Sequence, residues 1–155
     1  MIIKFGYYDD EDFGLTAFPE IKFSEKEITK KNKKSEHLEK KKEEYTKYLI
    51  TGIMEDFPDL EIINIFLPQL EKVETGKVQE TVWDGQAFQH KINKEKVEFE
   101  HTIFGICEEY PLWSCKFEEY KKVLEGWEKF LEMEVDLRSE VVMEIWREIF
   151  LAFLL

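Results

Sequence analysis

No stretch of this sequence approaches the ~20 consecutive apolar residues that a membrane-spanning helix needs, so a membrane protein is not expected. The amino terminus, Met1-Ile2-Ile3-Lys4-Phe5, lacks the long apolar segment and small-residue cleavage site of a signal peptide and reads as a first strand. Cysteine is scarce: Cys107 and Cys115 lie eight residues apart with no CxxC, which excludes a disulfide scaffold, a zinc ribbon and a thioredoxin-like motif. They read as ordinary thiols in a reducing cytoplasm, although a turn at Pro111 would let them pair. Only seven glycines occur and none cluster, so a phosphate-cradling loop is not expected, and P-loop, GxGxxG, GxSxG and HExxH patterns are all absent. Positive charge is also in deficit, with 22 Lys and Arg against 34 Asp and Glu and a net charge of −12. A surface of that sign repels phosphate and argues against a general nucleic-acid binder.

What is present is core material. Of 155 residues, 43% are hydrophobic, and the aromatics comprise 13 Phe, 6 Tyr and 4 Trp. That suits one domain, residues 1–155, with a substantial interior. Charge is distributed unevenly. Residues 22–48 hold ten Lys and six acids, a local +4, which leaves −16 on the rest of the chain.

The pattern predicts an α+β fold, an antiparallel sheet of four to six strands packed against two or three helices. Residues 2–8 read as a strand and residues 9–12 as an acidic loop. Ser24 with Glu27 is expected to form a capping box and Phe23 with Ile28 a hydrophobic staple. The wholly polar stretch 29–37 that follows is expected either to project into solvent as a long helix or to break near Asn32 and restart at Ser35. Leu38, Tyr45, Leu49 and Ile53 hold one helical face, which Phe57-Pro58 terminates. The dense apolar run 60–67, bounded by Pro58 and Pro68, predicts a central strand. Three further strands are expected at 77–83, 86–92 and 96–106, with turns at Thr75-Gly76 and Asp84-Gly85. In the middle hairpin, apolar matching favours Val82 opposite Phe88 and Val78 opposite Ile92, with a bulge at Gly85 or Gln86. Phe117, Tyr120, Leu124, Trp127 and Leu131 mark an amphipathic helix over 115–133. Residues from Ser139 onward fit either strand or helix, with helix favoured. The expected core includes Ile63, Ile65, Val82, Phe88, Ile92, Phe99, Ile103, Leu124, Trp127 and Leu131.

Chemistry-bearing residues are few. His37 lies in the Lys-rich segment. On the favoured register Glu80 would face His90, with His101 on the same face, a set suited to acid–base or metal work. Against it, two histidines bridging a sheet and a helix need no ligand. The acidic pairs are equally ambiguous in a chain with 34 acids.

The segment Phe104-Gly105-Ile106-Cys107-Glu108-Glu109-Tyr110-Pro111-Leu112-Trp113, followed by Tyr120-Lys121-Lys122-Val123-Leu124-Glu125-Gly126-Trp127-Glu128-Lys129-Phe130-Leu131, resembles small bacterial immunity proteins of polymorphic toxin systems. The resemblance implies an acidic, cytoplasmic, single-domain α+β protein that neutralises a cognate toxin domain by binding it. The Lys-rich segment 26–47 departs from the usual all-acidic surface. Electrostatics is compatible with the implied role, since an acidic patch fits and steers towards a basic cleft. The expected partner-binding residues are Asp9, Asp10, Glu11, Asp12, Glu108, Glu109, Tyr110, Trp113, Glu118 and Glu119, toward a basic protein rather than nucleic acid or membrane. Neither catalysis, cofactor nor metal is expected. The alternatives are a small metal-dependent hydrolase using Glu80, His90 and His101, and a structural protein that oligomerises through its apolar carboxy-terminal helix.

Overall fold

The computed structural model of the chain describes residues 1–23 and 33–145. The expected cap at Ser24, the staple of Phe23 with Ile28, the break near Asn32 and the apolar tail 146–155 lie outside the described residues. The fold is α+β, with the strands divided between two antiparallel sheets. Strand β1 (Ile2–Asp10) forms a hairpin with β2 (Gly14–Lys22). Helix α1 runs through Lys33–Glu44, a π-helical stretch Tyr45–Ile50 and Thr51–Asp56, and helix α2 covers Leu60–Glu74. A meander follows: β3 (Glu80–Asp84), β4 (Phe88–Asn93), β5 (Lys96–His101) and β6 (Trp113–Lys116). Helix α3 (Phe117–Glu132) leads to β7 (Val141–Glu144). The sheet orders are β2-β1-β7 and β3-β4-β5-β6.

The helical stripe read for α1 is correct: Leu38, Tyr45, Leu49 and Ile53 are all buried, and the helix stops before Pro58. The expected strand at 60–67 is instead the first half of α2. Asp59 caps it, its carboxylate accepting from Ile62 N at 2.9 Å, and Ile63, Phe66, Leu70 and Val73 are buried at steps of three and four. The density of apolar residues, broken only by Glu61 and Asn64 over 60–67, masked that period. Pro68 does not end the helix, and Ile65 sits on its exposed side rather than in the core.

The β3–β4 register also differs from the apolar matching. Val82 pairs with Lys91 and Trp83 with His90, and the ladder runs from Asp84–Gln89 to Glu80–Asn93 without an inserted residue. Gly85 N donates to Phe88 O at 2.9 Å, so the hairpin turns at Gln86 and Ala87. The reason is Asp56, whose carboxylate takes the N–H groups of Ala87 and Phe88 and holds those residues at the turn. Val82 and Val78 are therefore exposed, and the strand begins at Glu80. Strand β5 ends at His101 rather than at 106, which leaves Ile103 exposed as well. Where a helix was favoured from Ser139 onward, the described part, Val141–Glu144, is a strand. Its Val-Val-Met run fills the open edge of β1, with Met143 opposite Ile3 and Val141 opposite Phe5.

Helix α3 joins the two sheets. It packs on β1 and β7 on one side and on β5 and β6 on the other. Trp127 packs at a tilt against Phe5, centroids 5.0 Å apart, while Tyr120 lies against Phe99. Of the expected core, Ile63, Phe88, Ile92, Phe99, Leu124 and Trp127 are buried, and Leu131 packs partly buried against them. Trp127 also donates its indole N–H to Phe57 O at 2.8 Å. Trp127→Ala removes both the packing and this bond and should destabilise by about 3–5 kcal/mol in a urea titration. A loss below about 1 kcal/mol would mean that α3 is not central to the core.

Candidate functional site

Two groups of chemistry-bearing residues stand out, one buried and one at the surface. In the buried group, Asp56 ends α1, His90 lies on β4 and Tyr120 on the first turns of α3. Asp56 Oδ2 is 2.6 Å from His90 Nε2, and His90 Nδ1 is 2.8 Å from Tyr120 Oη. The carboxylate already accepts from Ala87 N at 2.6 Å and Phe88 N at 3.1 Å, so the ring nitrogen facing it carries the proton. The other nitrogen then accepts from the Tyr120 hydroxyl. Burial holds the His90 pKa below its ordinary value of 6.5, with Asp56 opposing that shift. Burial likewise raises the Tyr120 hydroxyl. All three side chains are shut off from solvent, and the chain of bonds ties the end of α1 to β4 and α3.

Glu80 is not part of this group. It projects to the opposite face of the sheet from His90, exposed, and forms an ion pair with Lys91. His101 does share the face of His90, opposite Phe88, but its Nδ1 accepts from Ile103 N and Phe104 N. Glu80, His90 and His101 therefore do not converge, and no group of three metal-ligating side chains occurs among the described residues.

The surface group is the corner where the 102–112 connection meets α1. Trp113 is half-buried, stacked on Tyr48 with centroids 5.2 Å apart, and its indole donates to Glu44 at 3.0 Å. Tyr48 donates to Pro111 O at 2.7 Å. Lys47 donates to Glu109 O and lies 4.3 Å from the centre of the Tyr110 ring. Glu108 and Glu109 are exposed. A second acidic display occupies the β1–β2 tip, where Asp9, Glu11 and Asp12 are exposed around Phe13, which is 84% exposed. Asp10 is turned to structure. Its carboxylate accepts from Asp12 N and Phe13 N, which lower its pKa, and from the Tyr8 hydroxyl.

The remaining pair divides. Glu118 is exposed on the first turn of α3, whereas Glu119 is buried and occupied: it accepts from the Tyr45 hydroxyl at 2.8 Å and from Lys116 N at 3.0 Å. Beside it Cys115 is buried and free, with its thiol raised by burial first and Glu119 second. Cys107 is also free, so no disulfide joins the two. Sequence reasoning missed Asp56 because Asp-Phe-Pro reads as a helix end, and missed Lys47 because it belongs to a Lys-rich run. No helix among the described residues is long and apolar enough to cross a membrane. Comparison of the chain with protein-family models, curated proteins and solved structures finds no match.

The neutral buried histidine makes stability depend on pH. The unfolded chain takes up the His90 proton as pH falls below 6.5, while the folded chain resists it, so stability is full above 6.5 and declines below it. The thermal midpoint should fall between pH 7.5 and 5.5, and His90→Gln should flatten that slope; an unchanged slope would show that His90 does not titrate as described. A Cβ added at Gly85 would overlap the Asp56 carboxyl carbon. Gly85→Ala should therefore destabilise by about 1–3 kcal/mol in chemical denaturation, and a neutral result would show that Asp56 has room to move.

Proposed function

We propose that this chain is an immunity-type protein, acting in the cytoplasm, that binds and neutralises a cognate basic toxin domain and has no catalytic activity of its own. The observation that carries the reading is the pairing of exposed acids with apolar side chains at two surface points. At the β1–β2 tip three exposed acids surround Phe13, and at the α1 corner Glu108 and Glu109 adjoin Tyr110 and Trp113. The −16 carried outside residues 22–48 supplies a long-range field toward a cationic partner, felt over about a Debye length of ~8–10 Å. Apolar side chains among those acids then add the short-range contacts that slow dissociation. The closed Asp56–His90–Tyr120 group supports the non-catalytic side of the reading, because its polar atoms are all engaged with one another.

The partner is to be captured on the intact chain from the producing cell, identified and purified. Its expression alone should arrest growth, and co-expression of this chain should restore it. Reversing Glu108 and Glu109 to Lys should slow association by about tenfold at low salt and weaken the salt dependence of the on-rate. A partner that is acidic, or an on-rate indifferent to both salt and the charge reversal, would leave −12 as a matter of solubility and overturn the proposal.

A further inference from the structure

The 102–112 connection combines two properties that rarely occur together. It carries exposed apolar side chains, with Ile103 79%, Phe104 61% and Ile106 60% exposed and Leu112 also at the surface. It is also fixed at many points despite having no regular secondary structure. Thr102 closes its base, with N–H to Ala87 O and hydroxyl to Gln86 O. His101 organises the first turn: its Nδ1 accepts from Ile103 N and Phe104 N, and its carbonyl accepts from Gly105 N. Gly105 takes φ +61, a conformation that suits glycine. Cys107 N donates to Tyr110 O, and Tyr48 and Lys47 hold the far end. A run of rings extends from the buried Phe88 through Tyr110 and His101, 4.2 Å apart, to Phe104, 4.9 Å further on.

Left to itself an apolar loop would fold its side chains inward. Here hydrogen bonds fix the backbone that carries them and ring contacts hold Phe104, so much of the backbone ordering that binding usually demands is already complete. Exposed aromatic and aliphatic anchors on a fixed backbone, beside charges, are the anatomy of an interface centre with a polar rim. We infer that the 102–112 loop is the anchor of the partner interface, with Phe104 and Ile106 entering an apolar pocket on a basic protein whose cationic rim meets Glu108 and Glu109. This rests on the partner-binding reading above and deepens it. The occupant is set by charge complementarity: two exposed acids adjoin the apolar tip, so a second copy of this acidic chain would bring like charges together.

The test titrates the purified captured partner against the wild-type chain and Phe104→Asp, Ile106→Asp and Ile65→Asp variants. Ile65 is equally exposed but lies on α2. Phe104→Asp and Ile106→Asp should each weaken binding by about tenfold or more, chiefly through faster dissociation, with Ile65→Asp close to wild type. Thermal midpoints of Ile106→Asp and Ile65→Asp should stay near that of wild type, because those side chains are exposed. Phe104→Asp also gives up its ring contact with His101, so Ile106→Asp carries the test where the Phe104 variant is destabilised. If a basic partner binds with salt-dependent kinetics but both loop variants bind as wild type does, the loop is not the anchor and the electrostatic reading stands. If no basic protein is captured, the partner-binding reading itself fails. If the wild-type chain self-associates in sedimentation and Phe104→Asp makes it monomeric, a second copy occupies the loop and the inference is overturned.

Discussion

The Asp56 carboxylate is the constraint on which the rest of the structure depends. It sits where helix α1 ends, yet it satisfies the backbone of the β3–β4 turn and the imidazole of a β4 histidine, which passes the contact on to α3 through Tyr120. One buried charge thus ties a helix end, a hairpin and a second helix. A buried carboxylate is tolerable only when its lone pairs are used, and here three donors use them. Geometry elsewhere follows: the hairpin turn shifts toward Asp56, Trp83 comes to face His90, and Val82 of β3 is left outside.

Division of the strands into two sheets places a corresponding demand on α3. With glutamates on its outer side, it lays Phe117, Tyr120, Val123, Leu124, Trp127 and Phe130 inward. Tyr120 and Phe117 serve the meander side, and Trp127 and Phe130 serve the β1 side, where Phe5 and Tyr7 meet them. The amphipathic period of a single helix therefore covers two sheet faces and keeps one continuous core between them.

How much of this was legible depended on whether the signal was local. The stripes of α1 and α3 are periodic in sequence and were read correctly, as was the shared face of His90 and His101. The strand reading of 60–67 failed because only Glu61 and Asn64 mark a polar side in so dense an apolar run, and the deciding residue, Asp59, acts as a cap from just outside it. The register of β3 failed because it is set by a residue 31 positions from Ala87, which no pairing of neighbours reveals. Strand β7 was missed for a similar reason: Val141-Val142-Met143 is indifferent between states until β1 offers it an edge. At the surface, Glu118 and Glu119 look alike in sequence, yet Glu119 is buried against Tyr45 while its neighbour faces water. The exposure of Asp9, Glu11, Asp12, Glu108 and Glu109 was legible because solvated charge is the default for such runs, whereas the turn that engages Asp10 was not.

The π-helical stretch Tyr45–Ile50 carries a consequence for the chain's tolerance of length change. Tyr45, Leu49, Ile53 and Phe57 are buried at successive steps of four, a spacing that drifts by about 40° per step on an ordinary α-helix. The wider turns absorb that drift and keep Tyr45 on Glu119 and Tyr48 on Pro111 while Asp56 still reaches the hairpin. The segment acts as a phase adjuster between the two ends of one rod. Deleting a single residue there would turn everything before it by about 100° about the helix axis, carrying Glu44 and Tyr45 away from Trp113 and Glu119. A deletion of the same size in the exposed turn between α2 and β3 would have no such rotation to transmit.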